Sequence, residues 1–241
     1  MLTVQQLTGG YSRQQPVIHA LSFDVQPGEI VGLIGLNGAG KSTTIKHILG
    51  LMTPIAGNVT LNGKTLREDP AAFRSQIAFI PESPQFYEEL TLWEHLELTA
   101  RAYRLDETLY IERANALLDQ FRMSKVKHWF PHTFSKGMQQ KIMILCAFLV
   151  QPSLLIVDEP FVGLDPLAIQ ALLDLLQEGK RQGMGILMST HILGMAETYC
   201  DRFILLHDGR IQLKGNLSEM RQTLSQPQAS LEQLFIKIAK G

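Results

Sequence analysis

The run Gly35-Leu36-Asn37-Gly38-Ala39-Gly40-Lys41-Ser42 has the residue types and spacing to hold a phosphate chain. It satisfies the pattern G-x-x-x-x-G-K-[ST] at every position. Glycines open backbone conformations closed to other residues, so successive N–H groups can turn inward as an anion nest. A helix starting at the end of the run adds its free N–H groups and the positive end of its dipole. Lys41 then reaches β- and γ-phosphates, and the hydroxyl of Ser42, followed by Thr43, is offered to Mg²⁺. ATP with Mg²⁺ is the implied ligand. Far downstream, Leu154-Leu155-Ile156-Val157 runs into Asp158-Glu159-Pro160. An acid at the end of a buried parallel strand emerges beside the cradle. Asp158 there can hold Mg²⁺, directly or through water, and Glu159 can polarise an attacking water as general base.

These residues need a scaffold, and the flanking patterns supply one. Ile30-Val31-Gly32-Leu33-Ile34 is a short apolar run, the mark of a strand buried on both faces, and Ser42 to Leu51 reads as a helix. Strand, glycine turn and helix open an α/β domain with a parallel sheet. Val17 to Val25 reads as a partly alternating strand before the turn Pro27-Gly28. From about Leu90 to Gln151 the periodicity is helical, with Leu92, Leu96, Ala100 and Tyr103, then Ala114, Leu117, Leu118 and Phe121, at spacings of three and four. The sheet resumes with the Leu154 strand, a helix face at Ile169, Leu172, Leu173 and Leu176, and a strand at Gly185 to Met188. Asp208-Gly209 between two apolar runs is a two-residue hairpin signal. Ser230 to Lys240 is amphipathic, with Leu231, Leu234, Phe235 and Ile238 on one side.

With these pieces in order, the chain resembles the ATPases of ABC transporters from about Tyr11 to Gly215. Phe134-Ser135-Lys136-Gly137-Met138 is similar to the family's signature, usually Leu-Ser-Gly-Gly-Gln, and departs from it at Phe134, Lys136 and Met138. The resemblance implies that Ser135 and Gly137 reach the γ-phosphate bound by an opposing subunit; a serine before a long helical run is also an ordinary N-cap. Gly163-Leu164-Asp165-Pro166 resembles the D-loop, which adds Asp165 to the nucleotide contacts, and Ser189-Thr190-His191 resembles the switch segment, which makes His191 a γ-phosphate contact. Tyr11 lies where the family stacks an aromatic on adenine. Ile80-Pro81-Glu82-Ser83-Pro84-Gln85 occupies the Q-loop, where the family has glutamine after proline; Glu82 ligates Mg²⁺ or orients water there, or Gln85 substitutes for it. Phe86, Tyr87 and Trp93 are partner anchors or core packing of the helical segment.

The resemblance implies one ABC ATPase domain over residues 1–241. It has a mostly parallel sheet core, an antiparallel β subdomain and an inserted helical subdomain. About 1–89 and 152–224 form the nucleotide-binding core, about 90–151 the helical part ending in the signature, and about 225–241 the tail. Gly32 to Asn37, Tyr87 to Leu96 and Phe134 to Met138 are most like the Ecs-type branch. That implies an exporter whose integral membrane permease is EcsB-like, a second ATPase subunit forming a homodimer, and a peripheral location on the cytoplasmic face of the cell membrane.

Composition agrees with such a part. Hydrophobic residues make up 45% and charged residues 19%, enough to bury a sizeable core. A net charge of −1 and an isoelectric point near 6.7 give no basic field for nucleic acid or anionic lipid, so no nucleic-acid partner is expected. Ile142 to Val150 is the longest apolar stretch, far short of the roughly 20 residues that span a bilayer. The start, Met1 to Gln6, lacks the marks of a signal peptide. Cys146 and Cys200, outside any CxxC pair, fit a reducing compartment. Two rivals remain open: a soluble ABC-type ATPase acting on a non-transport machine, and a small-molecule kinase.

Overall fold

The computed structural model describes residues 1–240. Three strands, β3 (Ile30–Ile34), β7 (Leu154–Asp158) and β8 (Gly185–Ser189), are buried at every position, as their continuous apolar sequences require. They form the centre of a six-stranded sheet with β6 (Ile77–Ile80) at one edge and β9 (Arg202–His207) and β10 (Arg210–Gly215) at the other, in the order β10-β9-β3-β8-β7-β6. Every pairing is parallel except β9 with β10, a hairpin whose turn residues Asp208 and Gly209 both have positive φ, as a type I′ turn needs.

A second sheet is antiparallel and joins β1 (Leu2–Gly9), β2 (Ile18–Val25), β4 (Ala56–Leu61) and β5 (Lys64–Thr65) in the order β2-β1-β4-β5. Its apolar face, including Leu2, Val4, Leu21 and Phe23, packs with Val31, Leu33, Ile156 and Leu187 of the central sheet and with Ile45 and Ile48 of α1 (Lys41–Ile48). The strand expected from Val17 starts at Ile18, and the helix expected to reach Leu51 ends at Ile48, because the chain turns at Gly50 with φ 72°. A short α2 (Pro70–Arg74), capped by Asp69, leads into β6.

Between β6 and β7 lie α3 (Leu92–Ala102), α4 (Glu107–Gln120) and α5 (Lys136–Leu149). A capping box starts α3: Thr91 Oγ1 accepts from Glu94 N, and Glu94 Oε2 accepts from Thr91 N. Asp106 caps α4 and Ser135 caps α5. Leu96, Leu118, Ile142 and Leu145 merge with Ile80, Leu155 and Val157 into one core, so the helices are anchored to the sheet that carries the acidic pair. This same core takes in α6 (Pro166–Arg181) through Leu172, Leu173 and Leu176. A third apolar cluster joins α7 (Leu193–Tyr199), α8 (Leu217–Thr223) and α9 (Leu231–Lys240) to Ile34, Phe203 and Leu205. Both cysteines are free; burial pushes the Cys146 thiol up to about 11 and that of Cys200 up to about 12, so neither is a ready thiolate. Among the described residues no helix is long and apolar enough to cross a membrane.

Candidate active site

The carboxyl ends of β3, β7 and β8 open into a cleft of about 620 Å³. Its floor is the loop from Gly35 to Gly40. Gly40 sits at φ 105°, outside the range of ordinary residues, and directs the chain into α1 without any side-chain cap. The first N–H groups of α1 are therefore left for a ligand. No acid occupies the first turn of α1. Lys41 is buried along its stem, and its Nζ donates to the carbonyls of Gly35 (2.7 Å) and Leu36 (3.3 Å), folding back over the loop it serves.

At the end of β7, Asp158 Oδ2 accepts from Ser42 Oγ at 3.2 Å. Burial raises the Asp158 pKa; the Ser42 hydroxyl opposes the rise, while the charges of Glu159 and Glu82 add to it. Glu159, also buried, is held at φ 48°, an uncommon conformation for a residue with a side chain, and its N–H donates to Ser189 O at 2.9 Å. Oxygen Oε2 of Glu159 accepts from the backbone N–H of His191 (3.2 Å) and lies 2.8 Å from His191 Nδ1. Two donors thus orient one carboxylate oxygen of a residue that lines the cleft. The ring of His191 is itself exposed.

Glu82 lines the cleft and Gln85 does not. Tyr11, highly exposed, stands at the mouth with Val17; the Lys46 ammonium donates to its hydroxyl (3.2 Å) and lies 5.2 Å from the ring centroid, and this contact lowers its pKa. Of the other expected contacts, Gly35, Leu36, Asn37, Gly38, Gly40, Lys41, Ser42, Thr43, Asp158, Glu159 and His191 all line the cleft, while Ala39 is buried behind the loop. Three apolar residues that sequence reasoning missed as part of the site, Ile34, Leu193 and Phe235, also line the cleft. Phe235 was visible as part of an amphipathic tail, but the packing of that tail into the cluster that includes Leu193 is a tertiary fact.

Ser135, Gly137 and Asp165 stay outside the cleft. They form a second assembly at the start of α5. Ser135 Oγ accepts from Met138 N at 3.3 Å. Gly137 passes so close to the carbonyl of Gly163 that a Cβ at residue 137 has no room. Lys141 Nζ pairs with Asp165 Oδ2 at 2.9 Å, while Asp165 Oδ1 caps α6 through Ala168 N at 2.9 Å; both contacts, that of Lys141 foremost, hold the Asp165 carboxyl below the usual range. The departures from the usual signature have structural counterparts: Phe134 is buried, Met138 packs against the core, and Lys136 is exposed.

An uncapped phosphate cradle on a parallel sheet, with an acidic pair and a histidine on neighbouring strand ends, defines a P-loop nucleotide hydrolase. The helical insertion that ends in a second, serine-capped helix start gives it the ABC form. The family model described as ABC transporter matches residues 18–162, and the chain belongs to that family as an ATP-binding, ATP-hydrolysing subunit. It is 57% identical over 240 residues to the ABC-type transporter ATP-binding protein EcsA of Bacillus subtilis (strain 168), covering 100% of this chain and 97% of that one. A solved ATP-binding subunit of an ABC transporter superposes with a TM-score of 0.96 at 53% identity, over 99% of both chains. An ATP-binding cassette solved as a dimer in a post-hydrolysis state with ADP and Pi shares the fold at a TM-score of 0.81, with 24% identity over 90% of this chain and 99% of that one.

Proposed function

We propose that two copies of this chain dock head to tail, so that each ATP lies between the cradle of one copy and Ser135 and Gly137 of the other. Their cycle then drives an EcsB-like integral membrane permease for export, from the cytoplasmic face of the membrane. The observation that carries this reading is the separation of the two helix starts. One chain holds a cleft with an acid and a cradle, and a second capped helix start that lies outside that cleft.

In the cleft, Lys41 exchanges its two carbonyl partners for phosphate oxygens, and the open N–H groups of α1 receive the same charge. Tyr11 offers its face to adenine. The pair Ser42 Oγ and Asp158 Oδ2 suits Mg²⁺, with Glu82 as a further acid in reach of the cleft. Among the described residues no group of three or more acids, histidines or cysteines forms a cage. One carboxylate and one hydroxyl, completed by phosphate oxygens and water, is what Mg²⁺ takes at a nucleotide site. A Mg²⁺ ion held by this pair would supply charge neutralisation at the phosphate oxygens. Glu159, steadied at Oε2 by the His191 N–H and Nδ1, orients a water with its other oxygen and takes its proton, and the second nitrogen of the exposed His191 ring is left for the γ-phosphate.

The test is Glu159→Gln, purified with ATP in mild detergent from the native cell. Turnover is expected to fall by about 10²- to 10⁴-fold with ATP binding kept. ATP-bound dimers are expected to accumulate, and a multi-helix membrane protein to come through in comparable amount. Unchanged turnover removes Glu159 as the base, and ribosomes or DNA-repair proteins in place of a membrane protein overturn the transport reading.

A further inference from the structure

Gln140 is 1% exposed, on the second turn of α5, five residues past the cap Ser135. Its Nε2 donates to Pro81 O at 2.9 Å. Pro81 is the link between the last residue of β6 and Glu82, which lines the nucleotide cleft. The amide orientation is fixed, since turning it over would set Oε1 against the carbonyl. In the bound orientation Oε1 is buried without a protein donor. A half-satisfied buried amide is costly, and leucine or methionine would fill this apolar neighbourhood more cheaply. What the glutamine contributes in exchange is one hydrogen bond to the backbone beside Glu82.

We propose that Gln140 is a positioning residue that yokes the Glu82 loop to the helix start bearing Ser135, so that nucleotide in one cleft sets the serine offered to the other. This rests on the composite two-chain site proposed above. An α-helix is stiff over one turn, so a shift of Pro81 is carried to Ser135 with little loss. The first two turns of α5 are also fixed to the loop that leaves Glu159, through Lys141 with Asp165 and through the close approach of Gly137 to Gly163. Those contacts hold the helix start against the strand carrying the acids. Gln140 adds the connection to the strand end carrying Glu82, and the helix start thereby answers to both sides of the cleft.

The experiment compares Gln140→Leu and Gln140→Glu, each alone and with Glu159→Gln. For Gln140→Leu, the melting temperature is expected to be equal or higher and the ATP affinity of the isolated chain unchanged. Its kcat is expected to fall about tenfold, and the ATP concentration needed for dimers in the Glu159→Gln background to rise about tenfold. For Gln140→Glu, only the protonated acid can donate to Pro81 O, so its kcat relative to the parent is expected to rise as pH falls. Gln140→Leu with parental kcat and dimerisation overturns the yoke. Loss of melting temperature and ATP affinity together also overturns it, by reducing Gln140 to packing. If Glu159→Gln alone forms no dimer with ATP, the composite-site reading has failed before Gln140 is tested.

Discussion

The chain has two helix starts with the polarity to meet phosphate, and they are built in opposite ways. At α1 the cap is Gly40, no side chain satisfies the first N–H groups, and the nearest cation is curled onto carbonyls of its own loop. At α5 the cap is Ser135, already bonded to Met138 N, and the first two turns are braced from behind by Gln140, Gly137 and Lys141. The first leaves its N–H donors without side-chain partners and keeps a cation folded beside them. The second is a finished surface held in place by the rest of the chain. A helix terminus is alike in dipole wherever it occurs; what separates a cradle from a presented contact is whether its donors are left open and whether its position is fixed by its own ligand or by its neighbours.

The largest way to break this contrast is Lys41→Ala. It removes the stored cation from α1 and touches nothing at α5. ATP affinity of the isolated chain is expected to fall by about 10- to 100-fold, the worth of charge-assisted hydrogen bonds. Titration with a fluorescent ATP analogue reads this directly, and tight binding by the variant would remove the cradle reading.

Ser135→Ala is expected to do the reverse. Affinity of the isolated chain for ATP stays at the parental value, because the serine is outside its own cleft. Turnover falls about tenfold, the scale of one hydrogen bond in the proposed two-chain site, and the lost cap costs about 1 kcal/mol of stability. Measuring binding, turnover and melting on the same preparation separates these, and a weakened ATP affinity in the isolated chain would contradict the division of labour.

How much of this was legible before the structure follows from the physics of each part. The cradle, β3 and the strand ending in Asp158 were readable because local rules dictate them: glycine and lysine at set spacing, and apolar runs buried on both faces. The turn at Asp208-Gly209 was readable for the same reason. Strand β1 was not, since a shift of register between Gln5 and Thr8, with Gln6 at φ 48°, breaks its alternation. Strand β6 has only four residues, too short a run for its period to be read. Ser135, Asp165 and His191 could be placed by resemblance, whereas the bonds that brace them join residues far apart in the chain, such as Gln140 and Pro81. Nothing in local spacing encodes such a bond, and the presence of Phe235 in the cleft was hidden in the same way.

The finest distinction lies in two aspartates, one for each helix start, whose titrations have opposite signs. Asp158, beside the cradle, has a raised pKa, first from burial and then from the Glu159 and Glu82 charges. The folded chain therefore holds that proton more tightly than the unfolded chain, and this contribution to stability declines as pH rises from the ordinary carboxylate range through the raised value. Asp165, beside the braced turn, has a lowered pKa, first from Lys141 and then from Ala168 N–H. Its contribution is present above the ordinary carboxylate range and is lost as pH falls through the lowered value. In nucleotide-free protein at neutral pH, Asp158→Asn is thus expected to melt at a higher temperature than the parent and Asp165→Asn at a lower one. Both differences shrink on acidification, that of Asp158→Asn on the way down to the ordinary carboxylate value of about 4 and that of Asp165→Asn only as pH falls below it, so thermal melts carried from pH 7 to below that value read the two slopes. A destabilised Asp158→Asn would show that the cradle acid is held as firmly as the brace. The expected result would show that the chain gives up stability at the acid beside the α1 loop and recovers some of it at the braced start of α5.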